Sequence, residues 1–293
     1  HLWDVPIGAD ASASGLQLLS AMRRDPQGMK WSNLFAASST SEAPQDAYTE
    51  VLRVAREIAA KDIESSWMVE HLNNRKLGKA ILMKSIYGAV ESTNRRDVEL
   101  SLREDGLYPD PFSWKEVNKL TKFIDIASHI VFPKAFEALD WIKEVFRAAQ
   151  KNGNTSFTWN TPNEDSINLK ENIVIFTDIR TTHLGKVRLG IKQGDEPDYL
   201  RMRNAICPSF VHSYDAAVLK SSFKQWKQPL AVIHDCINVL PNDMESALDR
   251  VRKGFTHVCS GDPLAALADD LGVSNEQVKR LPQGKADLEE VLE

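Results

Sequence analysis

Apolar positions along this chain repeat with helical spacing through its middle and with strand-like spacing toward its ends. The first apolar run, Val5-Pro6-Ile7-Gly8-Ala9, is predicted to be a strand. Small residues follow, and Ser14 with Gln17 has the Ser-x-x-Gln spacing of a capping box, which predicts a helix from Ser14. Residues 36–45 read as a Ser/Thr-rich loop that ends in a helix-start signal, Ser41-Glu42-Ala43-Pro44. The next helix places Tyr48, Val51, Leu52, Ala55 and Ile58 on one face. A second long helix is predicted over 64–86, with Gly88 just past its end. After a turn-rich break at 105–113, helices are predicted over 114–127 and 134–150, a turn at 151–154, and short strands within 156–190. A helix over 206–226 leads into Pro229–Ile233, predicted to be a buried strand. His234-Asp235-Cys236 forms a hairpin tip, and Ile237–Leu240 returns. Asn242 and Glu245 predict a capping box for a last helix with Met244, Leu248, Val251 and Phe255 inward. Helices grouped between flanking strands make the class α+β.

Length and charge narrow the picture. A chain of 293 residues corresponds to about two domains and buries a full core without disulfide or metal staples. The net charge of −5 excludes a wholly basic nucleic-acid coat but not a local basic groove. The charge is uneven. Residues 241–293 hold 11 of the 41 acidic residues and 6 of the 36 basic ones, so the rest of the chain is neutral. Cys207, Cys236 and Cys259 form no CxxC pair, which disfavours a disulfide framework or a cysteine-rich zinc site and suits a reducing compartment. No run of 18 apolar residues predicts a membrane span, and the first residues have no signal-peptide pattern. The chain starts at His1 and enters a strand almost at once, as expected of a piece of a longer protein.

Three clusters carry candidate chemistry. Asp10 ends the first strand beside the small residues Ala11-Ser12-Ala13-Ser14-Gly15, a position suited to holding a metal, or else an ordinary turn with a solvated aspartate. A nucleophile elbow is excluded there, because Ala13 stands where that motif needs serine. Arg75 and Lys79 are four apart on one helical face, and Tyr87 lies two further such steps along. A guanidinium fork and a point charge suit a triphosphate, although such a pair is also a common solvated face. Asp235 sits at the tip of an apolar hairpin, where a carboxylate is costly unless paired, metal-bound or simply exposed in the turn. There is no GxxxxGK[ST], no GxGxxG after a strand and no HExxH. Phosphates would therefore be held by side chains and metal ions.

In this order, Asp-x-Ser-x-Ser-Gly at 10–15, Arg-x-x-x-Lys with Tyr-Gly at 75–88, and His-Asp at 234–235 resemble the palm and fingers of the single-subunit, phage-type RNA polymerases, a family that includes the mitochondrial enzymes. Ser20-Ala21-Met22, Gln45-Asp46-Ala47-Tyr48, Trp159-Asn160-Thr161-Pro162 and Phe210-Val211-His212-Ser213-Tyr214-Asp215 extend the resemblance over nearly the whole chain. The wording around Asp10 and Ser20 is most similar to podovirus-type phage enzymes. Cys236 stands where the family usually has serine, which leaves the carboxylate before it intact.

The resemblance implies a right-hand polymerase: a palm of antiparallel sheet with helices, formed by 1–40 and 213–293, and a mostly helical fingers insertion at 41–212. It implies Asp10 and Asp235 as catalytic carboxylates holding two magnesium ions, with the Ala11 carbonyl as a further ligand. Arg75 and Lys79 would contact the incoming triphosphate, and Lys79 would give a proton to the departing pyrophosphate. Tyr87 would lie near the sugar and the template base, and His212 near the nucleotide or the minor groove of the nascent pair. The implied partners are a DNA template, nascent RNA and ribonucleoside triphosphates. The implied setting is a monomeric, phage-encoded enzyme that transcribes phage genes in the cytoplasm of an infected bacterium rather than in a mitochondrion. Family A DNA polymerases are the main alternative, and they carry a bulky Glu five residues after the first aspartate. Gly15 stands there instead, so a ribose 2′-hydroxyl fits and Tyr87 and His212 could bond around it. A non-catalytic, template-binding remnant is the other alternative, and the presence of Asp10, Lys79 and Asp235 speaks against it. The family's upstream thumb, remaining palm and promoter-recognition regions, and its last few residues, have no counterpart here, so the chain is expected to carry the catalytic motifs without being competent alone.

Overall fold

A computed structural model describes residues 5–35, 43–89 and 91–291. Strand β1 (Ile7–Ala9) leads through small residues into α1 (Ser14–Met22), which is buried on nearly all sides. Helix α2 (Pro26–Trp31) starts with proline at its first position, and the Asp25 carboxylate accepts from the Gln27 N–H at 3.1 Å. Residues 36–42 of the expected loop lie outside the described residues. Helix α3 (Ala47–Lys61) begins later than the Ser41–Pro44 signal predicts, because Asp46 caps it by accepting from the Tyr48 and Thr49 N–H groups. Its predicted face is buried at Tyr48, Val51, Leu52 and Ala55, and half-buried at Ile58.

The single helix expected over 64–86 is two elements. A 3-10 segment, Ser66–Asn73, stops at Asn74, whose backbone is extended and whose side chain accepts from the Lys76 N–H at 3.0 Å. Asn74 thereby caps a new helix, α4 (Arg75–Ser85). Gly88 closes it as predicted, with a left-handed φ of 79°. Helix α5 (Glu91–Glu104) has no counterpart in the sequence reading. Its buried apolar residues are Val98 and Leu102, too few to mark a stripe in a charged segment. Helices α6 (Trp114–Val131) and α7 (Pro133–Lys151) follow, α6 with a full capping box between Ser113 and Glu116.

Strands β2 (Phe157–Asn160) and β3 (Ser166–Leu169) pair antiparallel, and β4 (Asn172–Thr181) with β5 (Gly185–Pro197) forms a long second hairpin. Helix α8 (Tyr199–Phe223) is one continuous helix, and the expected palm–fingers division at 212 and 213 falls inside it. Strands β6 (Leu230–Ile233) and β7 (Cys236–Val239) complete a three-stranded antiparallel sheet in the order β1-β7-β6. The strand predicted to be buried is instead exposed: Val232 and Ile233 are 42% and 64% accessible. An apolar run reports β-propensity, not whether anything covers the strand.

The Asn242/Glu245 capping box does not form. A 3-10 turn at Pro241–Asp243 precedes α9 (Met244–Cys259), and Asp243 caps it without a side-chain bond. Of the residues predicted inward, Phe255 is buried and Met244, Leu248 and Val251 are half-buried. Helix α10 (Pro263–Asp270) follows, and the remaining segment returns across α1, with the Gly284 N–H donating to the Arg23 carbonyl at 2.8 Å. The observed class is α+β, as the element order predicts. Helix α1 lies at the centre, in contact with α2, α7, α8 and α9.

Candidate active site

The first half of the site is made by strand pairing. Ile7, Gly8 and Ala9 of β1 lie opposite Val239, Asn238 and Ile237 of β7. Antiparallel pairing therefore brings the end of β1 and the start of β7 to the same edge of the sheet. Asp10 and Ala11 leave one strand there, and Asp235 ends the hairpin turn that enters the other. His234 holds that two-residue turn with a left-handed φ of 55°. Asp10, Ala11 and Asp235 line one cleft of about 530 Å³, with Asp10 exposed and Asp235 half-buried. Among the described residues no group of three or more His, Cys, Asp or Glu side chains is arranged to hold a metal. A pair of carboxylates and a backbone carbonyl is nevertheless the hard-oxygen set that magnesium accepts, because that ion keeps waters and substrate phosphates as its other ligands.

The second half joins α1, the end of α4 and α8. The Tyr87 ring stacks on the His212 ring, with centroids 4.7 Å apart and planes inclined by 13°. Its hydroxyl lies 3.4 Å from Ser14 Oγ. A Cβ at Gly15 would lie 3.3 Å from Tyr87 Cζ and Oη and 3.3 Å from Ile86 Cγ2. The space that a side chain at position 15 would enter therefore borders the tyrosine ring and its hydroxyl. Ser14 does not cap α1. Ala13 is the cap residue, and the Ser14 hydroxyl instead donates to Asp215 Oδ2 at 3.3 Å. Gln17, the other expected capping-box member, donates to the Ser32 carbonyl at 2.8 Å.

Asp215 was not among the residues singled out in the sequence, although it stands one helical turn after His212, with Oδ2 3.9 Å from His212 Nδ1. Burial pushes its carboxyl up to about 7, and the charge of Asp235 adds to the shift. Burial also raises the Tyr87 phenol, against the lowering bond to Ser14 and with further raising by Asp215 and Asp235. Burial lowers the exposed-edge imidazole of His212, aided by His234 and opposed by Asp235. The Asp235 carboxylate is felt by all three groups, so both halves of the site share one electrostatic neighbourhood.

The basic pair lies at the far end of α4 from Tyr87, along about 15 Å of helix. Lys79 is exposed one turn after Arg75. Arg75 is turned back toward α3: its Nε donates to Asp46 Oδ2 at 2.5 Å, and the guanidinium lies 4.8 Å over the Tyr48 ring. Tyr48 in turn donates from Oη to the Ser12 carbonyl at 3.2 Å. The signal for Asp46 and Tyr48 was present in the Gln45–Tyr48 segment, but nothing local ties it to Arg75. The exposed β4–β5 hairpin adds a basic and aromatic surface, with Arg180 opposite Lys186 and Arg188 5.0 Å over the Phe176 ring. Among the described residues no helix is long and apolar enough to cross a membrane.

Residues 2–290 match the family model for DNA-dependent RNA polymerase. A mouse protein named mitochondrial DNA-directed RNA polymerase is 24% identical over 92% of this chain and 22% of its own length. T7 RNA polymerase from Escherichia phage T7 is 25% identical over 99% of this chain and 39% of its own length. The mitochondrial DNA-directed RNA polymerase 1 of Arabidopsis thaliana is 26% identical over 99% of this chain and 31% of its own length. The chain thus spans 22% to 39% of the length of these three relatives.

Proposed function

The chain belongs to the single-subunit DNA-dependent RNA polymerase family, and from that premise we propose that it forms the catalytic palm and fingers of an enzyme that adds ribonucleotides to an RNA 3′-hydroxyl on a DNA template. The observation that carries this reading is the β1–β7 pairing, which brings Asp10 and Asp235 to one cleft, with the Asp235 charge acting on both members of the Tyr87–His212 stack.

In this reading Asp10, Asp235 and the Ala11 carbonyl would hold two magnesium ions. Bound there, the ions would acidify the 3′-hydroxyl and neutralise the leaving pyrophosphate. The remaining work falls to the chain's own side chains. Asp46 and Tyr48 fix the guanidinium of Arg75, leaving it to grip the triphosphate as a preset fork. Lys79 supplies a mobile charge one turn along and the proton for pyrophosphate. Tyr87 and His212 face the sugar and the base.

The ribonucleotide preference rests on Gly15 and Tyr87 together. A side chain at position 15 would press on the tyrosine, its Cβ lying 3.3 Å from Tyr87 Cζ and Oη, so the glutamate that blocks a 2′-hydroxyl in DNA polymerases would require the ring to shift. The partners are a DNA template, the nascent RNA and ribonucleoside triphosphates, with the β4–β5 hairpin offering a basic surface. A phage-encoded monomer acting in the bacterial cytoplasm suits the wording of the 10–15 motif, while the matched relatives include phage and mitochondrial enzymes.

Single-nucleotide extension of an RNA primer on DNA, by the natural polypeptide that contains this chain, tests the proposal. Magnesium-dependent addition of a ribonucleotide is expected, and it should be lost in Asp10→Asn. Retained extension in that variant would sink the metal-ligand assignment.

A further inference from the structure

Asp215 has no role in the chemistry just described, yet it is placed where that chemistry is controlled. It lies on α8, its side chain is only 18% accessible, and its Oδ2 atom has two neighbours that both touch Tyr87. Ser14 Oγ donates to it at 3.3 Å and also lies 3.4 Å from the Tyr87 hydroxyl. His212 Nδ1 is 3.9 Å away, and the imidazole face carries the Tyr87 ring. Tyr87 is therefore held at its hydroxyl through α1 and at its ring face through α8, and one carboxyl group bonds the first holder and lies 3.9 Å from the second. The neighbouring Gly15 gap fixes the third side of the ring.

Helical geometry explains the economy of this arrangement. His212 and Asp215 are three apart, so they share a face and cannot move independently of α8. Ser14 is the first residue of α1, and a serine there has a local alternative, capping its own helix. The hydroxyl makes the contact across 201 positions of sequence instead. A buried carboxyl group that draws a serine out of its local pattern is positioned for a structural purpose that the rest of the core does not need.

We propose that Asp215 is a positioning residue that, through Ser14 and His212, fixes the Tyr87 ring and hydroxyl and so sets the preference for ribose over deoxyribose. This rests on the polymerase reading for its second half, the sugar preference, but not for its first, the fixing of Tyr87.

The two halves are tested separately. Labelling the chain with 3-fluorotyrosine gives fluorine resonances from its five tyrosines, and that of Tyr87 is the one lost in Tyr87→Phe. Asp215→Leu and Ser14→Ala are expected to shift and broaden the Tyr87 resonance while Tyr108 and Tyr199 stay in place. Asp215→Asn, which keeps the shape and a hydrogen-bonding oxygen, should return it close to its original position. A Tyr87 signal that does not move in Asp215→Leu overturns the proposal, whatever Ser14→Ala or the enzyme does. If Asp215→Leu does not fold, Asp215→Ala decides this arm in its place. In the natural polypeptide, Asp215→Leu or Ser14→Ala should then lower the ribo-to-deoxy ratio of kcat/KM by roughly fivefold, about the worth of one hydrogen bond, and Asp215→Asn should restore it. An unchanged ratio in a polymerase that extends normally removes the sugar-selecting role and leaves the polymerase reading standing. Failure of the unsubstituted protein to extend at all removes that reading and the selecting role together, while the fluorine shifts still decide whether Asp215 holds Tyr87.

Discussion

Two regions meet at this site and differ in construction. Asp10 and Asp235 stand at the rim of a three-stranded sheet whose outer strand is exposed, on short elements and with one carboxylate open to solvent. Tyr87, Ser14 and Asp215 are held instead by three helices, and a Cβ at Gly15 would come within 3.3 Å of the ring. On the proposed reading the difference follows from two tasks. A pair of carboxylates meant for hydrated cations would be completed by ions, waters and phosphates, so the protein need only bring two oxygens to one edge. A ring that must judge a single hydroxyl group has to be rigid before the nucleotide arrives, because discrimination is lost when the contact relaxes.

The contrast predicts that activity and stability come apart at the sheet edge. Asp235→Asn removes the proposed metal-binding carboxylate from a half-buried hairpin turn without opening a cavity. Extension should fall by at least about 1,000-fold, whereas the change in unfolding free energy stays within about 0.5 kcal/mol. A large loss of stability would show that the edge is as tightly built as the helical side.

On the helical side the order is reversed, and pH exposes it. The Asp215 carboxyl is raised from 3.8 to about 7, first by burial and then by the charge of Asp235. Between those values the unfolded chain has released a proton that the folded chain still holds. Folding stability contributed by this group is therefore complete below about pH 4, declines as pH rises toward 7 and is flat above it. Asp215→Asn cannot ionise. Its stability relative to the unsubstituted chain should be unchanged at pH 4 and higher above pH 7, by on the order of 2 kcal/mol after allowance for solvent screening. Thermal unfolding at a series of pH values measures it. Parallel curves for the two proteins would contradict the buried-carboxyl picture.

A smaller effect probes the packing itself. Gly15→Ala places a methyl 3.3 Å from the tyrosine ring and hydroxyl, so something must give by a few tenths of an ångström. The expected cost is about 1 kcal/mol, with a loss of roughly fivefold in kcat/KM for ribonucleotides. Adding Tyr87→Phe removes the hydroxyl from the crowded spot and should recover part of the stability. A fully additive double variant would mean that the two residues do not compete for this space.

How legible each region was in the sequence follows the same division. The structural positions of Asp10, Lys79, Gly88 and Asp235 are legible because they are local: a strand end, a helix face, a left-handed helix stop, a two-residue turn. Gly88 and His234 indeed have positive φ. Ser14 was misread as a cap because its actual partner is 201 residues away, and a local pattern always competes with an unseen distant one. Asp215 belongs to the Phe210–Asp215 segment, but only the folded chain shows that it meets α1. Asn74 broke an expected helix because a capping side chain looks like any polar residue in a periodic stretch. The exposure of Val232 and Ile233 could not be read at all, since burial belongs to what covers a strand and not to the strand.

Arg75 offers the finest test of the comparison, because it bridges the two kinds of construction. It is 56% exposed, open to solvent as the sheet-edge Asp10 is, yet it is oriented by fixed partners like Tyr87. The pairing with Asp46 raises the guanidinium's proton affinity further, so the group stays charged at every working pH. Asp46 also caps α3 through the Tyr48 and Thr49 N–H groups, and asparagine caps a helix as well as aspartate does. Asp46→Asn therefore keeps the helix start and removes only the charge that holds Arg75. A charge-assisted bond in an exposed setting is worth roughly 0.5–1 kcal/mol. The expected result is a rise of about threefold in KM for the nucleoside triphosphate, with kcat and the ribo-to-deoxy ratio unchanged. A fall in KM would mean that Asp46 competes with the triphosphate for Arg75 rather than presenting it. A change in sugar preference would mean that the two ends of α4 are mechanically coupled, and that the helical side acts as one rigid unit from Asp46 to Tyr87.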